Sequence, residues 1–534
     1  MGNRLLAIGL CVTVLLGVCL LRVSYLASDG EFLQQASAGQ STMKLTVAHA
    51  RGTIYDRHLL PLTNTATEIR AAVTPQANVL PLLREQLSTE LAEGIEARLQ
   101  EDTPVVVGLP QWLSPIAGVR QFEVPVRYSQ RQLATHVIGY VDSAGTAGIT
   151  GVEYACNELL NTGGELSVTY TVNGLGHILP DGEVTVSDSL SAARAGVALT
   201  LDADIQRLAE AAATMTRGAV VITDASTAEI LALVSRPDYR PTAVEAALTA
   251  SGSPLLNRAI TDYNCGSVFK IVTAAAALET GVPTDRRYTC TGSLKVGDTT
   301  FHCHHRLGHG ELTMTEAFAV SCNPYFIQLA QEIGSARLYD MAASLGFGRA
   351  LPLCEGWQTA RAVLPSLSDL LASSAELANL SFGQGSLLAT PTHMAALVGA
   401  VVNDGRYMLP TLLAGTVDAT GSLIAVDRLA ATRVFSTETA AALRHMMCGV
   451  MTDGTGQSAQ PKWQSAAGKT GTAETGWYEE GKEVIQSWVV GYYPADEPRY
   501  TVTVLVENSE QTDETAAPIF KTLCESLYFY GLQA

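Results

Sequence analysis

The chain has 534 residues, 34 Lys and Arg against 52 Asp and Glu, and a formal net charge of −18. Nothing in it can form the basic, phosphate-tracking stripe that nucleic-acid binding needs, so no nucleic-acid partner is expected. The length exceeds what one hydrophobic core usually holds, and 47 % apolar with 16 % charged residues is globular rather than disordered composition.

Taken in chain order, the first element is an uncharged apolar run from Leu5 to Leu21, bounded by Arg4 and Arg22. As a helix it spans about 25 Å, and extended through Leu26 it reaches the roughly 30 Å of a bilayer core. No small-x-small cleavage pattern follows Arg22, and Val18 before Cys19 is a poor lipoprotein signal, so residues 1–27 are expected to be an uncleaved membrane anchor in contact with lipid. The short head with Arg4 suits the cytoplasmic side, which puts the bulk of the chain outside the cell membrane as a single-pass protein. Ten cysteines show no dense disulfide spacing.

A polar, irregular stretch follows, with a helix expected over Leu83 to Leu99 and short strands at Val105 to Val107 and Phe122 to Val126. From Val197 the pattern sharpens. Val197 to Leu201 reads as a strand end, and Ala203 to Met215 as a helix with Asp202 at its N-cap. Two apolar strands, Gly218 to Asp224 and Glu229 to Val234, flank a turn, and two more stand near the end at Ser487 to Tyr492 and Tyr500 to Glu507. Strand pairs at both ends with helices between predict an α+β domain whose single antiparallel sheet is closed by both termini, with a helix over Phe520 to Ala534 packed on it.

Three short motifs stand in that domain: Ser267-Val-Phe-Lys270 opening a helical run, Ser321-Cys-Asn323 after a second helical segment, and Lys469-Thr-Gly-Thr472 just ahead of the last strands. Residues three apart on a helix share a face, so Lys270 can reach the Ser267 hydroxyl. A serine needs a base before it attacks, and a lysine can serve if burial and a neighbouring cation such as Lys469 keep it neutral. The backbone N–H groups of Ser267 and Thr472 are the expected oxyanion donors. Ser321 would relay a proton to the leaving amine and Asn323 would hold Lys270. Lys469, Thr470 and Thr472 suit a carboxylate, with Gly471 giving room beside the strand. Each motif alone is weak; their order, with a helix after the first, is the specific signal.

With these motifs the chain resembles the class B penicillin-binding proteins. Arg51-Gly-Thr-Ile-Tyr-Asp-Arg57, His136-Val-Ile-Gly-Tyr-Val141, Gly151-Val-Glu153, Leu199-Thr-Leu-Asp202 with Ile205-Gln206, and Ser381-Phe-Gly-Gln-Gly385 with Thr390-Pro391 are similar to further family segments. The resemblance implies an N-terminal transmembrane helix (1–27), an irregular mixed pedestal (28–195) and a penicillin-binding, β-lactamase-like transpeptidase domain (196–534) with an antiparallel sheet sandwiched by helices. It also implies acyl transfer onto Ser267 from peptidoglycan stem peptides ending in D-Ala-D-Ala, covalent inhibition by β-lactam antibiotics, no cofactor, and a separate partner glycosyltransferase. A D,D-carboxypeptidase or β-lactamase-like hydrolase and a non-catalytic cell-wall scaffold are the rival readings, and elongation, division and sporulation all remain open as settings. Arg51, Asp56 and Arg57 are expected to hold structure rather than do chemistry. Cys265 stands where relatives usually carry Pro, and could either soften the turn or expose a thiol near the site. Cys290 and Cys303 bracket residues 291–302 beside a His-rich loop. A disulfide, two free thiols and zinc ligation are all open there, with no metal expected, since relatives carry a similar loop without being metalloenzymes.

Overall fold

The computed structural model describes residues 2–28, 41–76, 78–99, 103–179, 181–479, 481–507 and 514–532. Residues 29–40, the first part of the expected pedestal, and the last two residues of the expected C-terminal helix lie outside them. The described chain divides into two compact units. The first comprises residues 1–50, 66–126 and 163–192, and the second residues 51–65, 127–162 and 193–534. Segments 51–65 and 127–162 thus pack with the C-terminal part although they precede it in sequence.

In the first unit, helix α1 (Gly2–Ser28) contains an apolar span, Leu6–Tyr25, of 20 residues, about 30 Å long and enough to cross a bilayer. Two three-stranded sheets follow. Ala66–Val73 lies between Val105–Leu109 and Val119–Val126, and Asn161–Thr171 lies between Thr42–Arg51 and Val184–Asp188. The single helix expected over 83–99 is two helices, Val79–Gln86 and Thr89–Leu99. Leu87 between them is extended, and the Ser88 hydroxyl accepts a hydrogen bond from the Leu91 N–H at 3.4 Å, starting a new helix rather than continuing the old one.

The second unit is built on a five-stranded antiparallel sheet. Its strands are β1 (Gly218–Asp224), β2 (Ile230–Arg236), β3 (Ala467–Glu479), β4 (Lys482–Tyr493) and β5 (Tyr500–Val506), in the order β2-β1-β5-β4-β3. The closure by both ends of the domain is a direct ladder, with Val220 opposite Val504. Side chains alternate between the faces. Val220 and Ile222 pack with Ala209, Phe520 and Leu523 on one side, and Ala219 and Val221 pack with Ala395 on the other. The helices covering these faces are α2 (Ala203–Ala212), α6 (Pro391–Val402) and α7 (Ala516–Gly531). Asp202 caps α2 as expected, its carboxylate accepting from the Asp204 and Ile205 N–H groups. The helix ends at Ala212, three residues short of the expected Met215.

One difference from expectation matters for the site. Lys469-Thr-Gly-Thr472 does not precede the last strands; it lies within a fifth one, the edge strand β3.

The segment from Arg51 to Arg57 is structural. Glu153 is fully buried and takes Arg51 Nε and Arg127 Nε, each at 2.6 Å, together with the Tyr128 hydroxyl at 2.9 Å. The Asp56 carboxylate accepts from the N–H groups of His58 and Leu60 at 2.9 and 2.8 Å, and Arg57 pairs with Glu229 at 3.1 Å. Removing the carboxylate from such a buried set leaves two guanidiniums without their counter-charge. Glu153→Ala is therefore expected to destabilise the protein by about 3–5 kcal/mol. Urea unfolding followed by tryptophan fluorescence reads this as a lower midpoint, with Glu153→Gln losing less.

Candidate active site

The three motifs meet beside strand β3. Ser267 lies in a short 3-10 turn (Gly266–Phe269) that runs directly into helix α3 (Lys270–Glu279). Lys270, one turn beyond, has no exposed surface, and its Nζ lies 3.0 Å from Ser267 Oγ. Helix α4 (Met314–Ala319) is started by a capping box between Thr313 and Glu316. After it the chain turns through Ser321, which adopts a left-handed φ of 56°, into helix α5 (Asn323–Ile333), with Pro324 in its first turn. That turn aims three oxygens at Lys270 Nζ: Ser321 O at 2.7 Å, Ser321 Oγ at 3.0 Å and Asn323 Oδ1 at 2.7 Å. The Asn323 amide is oriented by its own NH₂, which donates to His302 O at 3.3 Å.

Two of these partners, Ser321 O and Asn323 Oδ1, can only accept. A neutral amine has two N–H bonds and one lone pair, so satisfying both carbonyls leaves the lone pair facing the hydroxyls. Burial pulls the Lys270 pKa down to about 7, only partly opposed by the nearby Cys322 and Cys303. An amine neutral near pH 7 at 3.0 Å from a hydroxyl can take its proton.

Lys469 arrives from β3, also with no exposed surface, and lies 3.1 Å from Ser321 Oγ and 2.8 Å from Thr470 O. Burial lowers its proton affinity well below the ordinary lysine value, and the charge of Lys270 lowers it further. Ser321 Oγ therefore bridges two buried amines. Thr470 is half-buried and Thr472 exposed on the same strand. Thr455, which sequence reading did not single out, brings its hydroxyl within 2.5 Å of the Thr470 hydroxyl. Its local signal is the Asp453-Gly-Thr-Gly456 turn.

Glycines set the approach of the turn to the strand. Gly266 has φ +57°, and a Cβ there would lie 2.7 Å from Thr472 O. A Cβ on Gly471 would meet Val268 Cγ1 at 3.0 Å and Cys265 O at 3.3 Å. The room at Gly471 is thus taken by the protein's own Ser267 turn rather than left free beside the strand. The Ser381–Gly385 segment clamps the same turn: Gly266 N–H donates to Gly383 O at 2.9 Å, and Thr273 Oγ1 donates to Ser381 O at 2.7 Å. Cys265 is fully buried, with its thiol directed at Tyr263 O at 3.8 Å, so the exposed-thiol alternative is overturned.

A serine at a helix start, a buried lysine one turn on, and an antiparallel edge strand carrying Lys-Thr-Gly against them define the fold class of the penicillin-recognising serine enzymes. Comparison with known proteins agrees. Residues 218–525 match the penicillin binding protein transpeptidase domain, and the chain belongs to that family, in its class B branch. It is 30 % identical to penicillin-binding protein PbpB of Mycolicibacterium smegmatis over 75 % of this chain and 64 % of that protein. It is 29 % identical to stage V sporulation protein D of Bacillus subtilis over 76 % and 64 %, so the chain spans just under two thirds of both relatives. Peptidoglycan D,D-transpeptidase MrdA of Acinetobacter baumannii is 26 % identical over 97 % of this chain and 87 % of its own. Among solved structures, penicillin binding protein 3 of Mycobacterium tuberculosis in complex with aztreonam superposes with a TM-score of 0.67 at 26 % identity, covering 92 % of this chain and 97 % of that one.

Gly266→Ala forces a side chain into a left-handed residue and against Thr472 O. A cost of about 1–2 kcal/mol from the backbone alone is expected. Thermal unfolding should read this as a lowered Tm, whereas Gly449→Ala, in a helix with nothing within 4 Å of the added Cβ, should leave Tm unchanged or raise it.

Proposed function

We propose that this protein is a serine D,D-transpeptidase that cross-links peptidoglycan stem peptides through an acyl-enzyme on Ser267, and that β-lactams acylate the same serine. The observation that carries the reading is Lys270, fully buried, held by two carbonyl acceptors and 3.0 Å from Ser267 Oγ.

In the proposed reaction Ser267 Oγ attacks the carbonyl of the penultimate D-Ala while Lys270 Nζ takes the hydroxyl proton. The oxyanion is met by the backbone N–H groups of Ser267 and Thr472. Ser321, bridging Lys270 and Lys469, passes a proton to the leaving nitrogen, and the terminal D-Ala departs, leaving an ester on Ser267. An amine from a neighbouring stem peptide attacks that ester; its proton returns through Lys270 to Ser267, and the cross-link is released. Lys469, Thr470 and Thr472 would receive the substrate's terminal carboxylate, with Gly471 keeping the strand close to the serine. Residues 1–27 would anchor the protein in the cell membrane, residues 28–195 serve as a non-catalytic pedestal, and residues 196–534 act outside the cytoplasm. Glycan polymerisation would come from a partner glycosyltransferase.

Full-length protein in detergent is expected to be labelled at one site by fluorescent penicillin. Ser267→Ala should abolish the label in a folded protein, and Lys270→Ala should slow it by about 10²- to 10⁴-fold. Because the base must be unprotonated, the labelling rate should rise with pH through about 7 and level off above it, falling about tenfold per unit below. Persistent labelling of folded Ser267→Ala would sink the assignment.

Transferase and hydrolase share acylation and part at the second step. The penicilloyl-enzyme is expected to outlive its formation time by orders of magnitude, followed by mass spectrometry of the intact protein. Rapid multiple turnover of penicillin would favour a hydrolase, and failure to form cross-links from lipid-linked precursor with a polymerase present would favour a scaffold.

A further inference from the structure

Four soft side chains converge behind the second motif. A hairpin, Ser293–Val296 paired with Thr299–His302, brings its two ends together so that Cys290 and Cys303 face one another, with Cys303 N–H donating to Gly292 O at 2.9 Å. The ladder Tyr288–Cys290 with Gly310–Leu312 sets Gly310 opposite Cys290, and so brings His309 alongside. Cys322 joins from the N-cap of α5. The ligand atoms of Cys290, Cys303, His309 and Cys322 all lie within 4.8 Å of one another. His309 Nδ1 is 3.8 Å from Cys290 Sγ and 3.4 Å from Cys303 Sγ. A tetrahedral ion with Zn–S about 2.3 Å and Zn–N about 2.0–2.1 Å sets its ligand atoms roughly 3.5–3.8 Å apart.

The donor set and its surroundings fit the same ion. The three cysteines are buried, His309 is half-buried, and among the described residues no carboxylate joins the group, which favours zinc over magnesium or calcium. The loop is folded too tightly for side chains: a Cβ on Gly292 would lie 2.1 Å from Arg306 O, and one on Gly308 would lie 2.3 Å from Cys290 O. A disulfide between Cys290 and Cys303 would use two thiols and leave Cys322 and His309 converging on nothing. Four converging donors are what a closed metal site requires.

We propose that Cys290, Cys303, His309 and Cys322 bind one structural Zn²⁺ ion, and that this ion positions the Ser321–Asn323 turn. Cys322 sits between the two residues that hold Lys270, and Asn323 is tied by its amide to His302 of the same hairpin. A bond from the metal to Cys322 Sγ fixes the turn from behind. The four ligands are positioning residues for Ser321 and Asn323 and touch no reacting atom.

Metal content tests the site directly, and does not depend on the Ser267 reading; its coupling to acylation does. Full-length protein purified in detergent without chelator is expected to carry one zinc per chain. Co²⁺ substitution should give thiolate-to-metal charge transfer and the ligand-field bands of a tetrahedral, sulfur-rich site. His309→Ala should lose zinc, whereas His309→Cys, a conservative replacement, should keep one per chain. Removing the ion should slow fluorescent-penicillin labelling by about 10- to 100-fold, restored by adding Zn²⁺. Folded wild-type protein that takes up no zinc under reducing conditions, or non-reduced peptides joining Cys290 to Cys303, would overturn the metal site. Stoichiometric zinc with an unchanged labelling rate after its removal would overturn the positioning role. Zinc binding with no labelling in any form would leave the site standing and count against Ser267 instead.

Discussion

Two lysine side chains with no exposed surface share one serine hydroxyl, and the local geometry of the second unit is organised around keeping them there. Moving an ammonium out of water costs several kcal/mol even after relaxation. The protein offsets that cost with carbonyl acceptors, Ser321 O and Asn323 Oδ1 for Lys270 and Thr470 O for Lys469. Each nitrogen also lies over an aromatic ring, Phe326 for Lys270 and Phe318 for Lys469, at 5.7 and 5.8 Å from the centroid. What remains unbalanced appears as lowered proton affinity at both sites, and the charge of Lys270 adds to the lowering at Lys469.

That arrangement can form only when distant parts of the chain have met. Ser267 and Ser321 lie in the long helical insertion between β2 and β3, whereas Lys469 lies on β3 itself, and β3 belongs to the sheet only through β4 and β5. The register that pairs Val504 with Val220 therefore also brings the third motif to the first two. An exposed edge strand is usually a liability, since its unpaired backbone groups can template association. Here part of the edge is covered by the Ser267 turn, which approaches closely because Gly266 and Gly471 lack side chains.

The sheet and its closure were readable because apolar strands bounded by turn residues carry a strong local signal, as at Gly218 to Asp224 and Tyr500 to Glu507. The N-cap Asp202 was readable for the same reason: its capping bonds are made within three residues. The break between Val79–Gln86 and Thr89–Leu99 was missed because Leu, Ala and Glu favour helix on both sides, and one Ser88 contact decides the outcome. Strand β3 was missed because Lys469 to Thr475 is rich in Thr and Gly and lacks the apolar run of its neighbours. The convergence of Cys322 with Cys290, Cys303 and His309 depends on a hairpin, a ladder and a helix cap at once, and no spacing rule in one dimension encodes it.

Strand alternation divides the third motif into two pairs with different work. Lys469 and Gly471 face inward, where the lysine reaches Ser321 and the glycine makes room for Val268. Thr470 and Thr472 face the other way, half-buried and exposed, and the Thr455 hydroxyl is hydrogen-bonded to that of Thr470. A β-branched residue at Gly471 would therefore act on the serine turn from within, without touching anything bound outside. One short motif thus carries a buried pair packed against Ser321 and the Ser267 turn and a more exposed pair on the other side, and the pleat of the strand keeps the two apart.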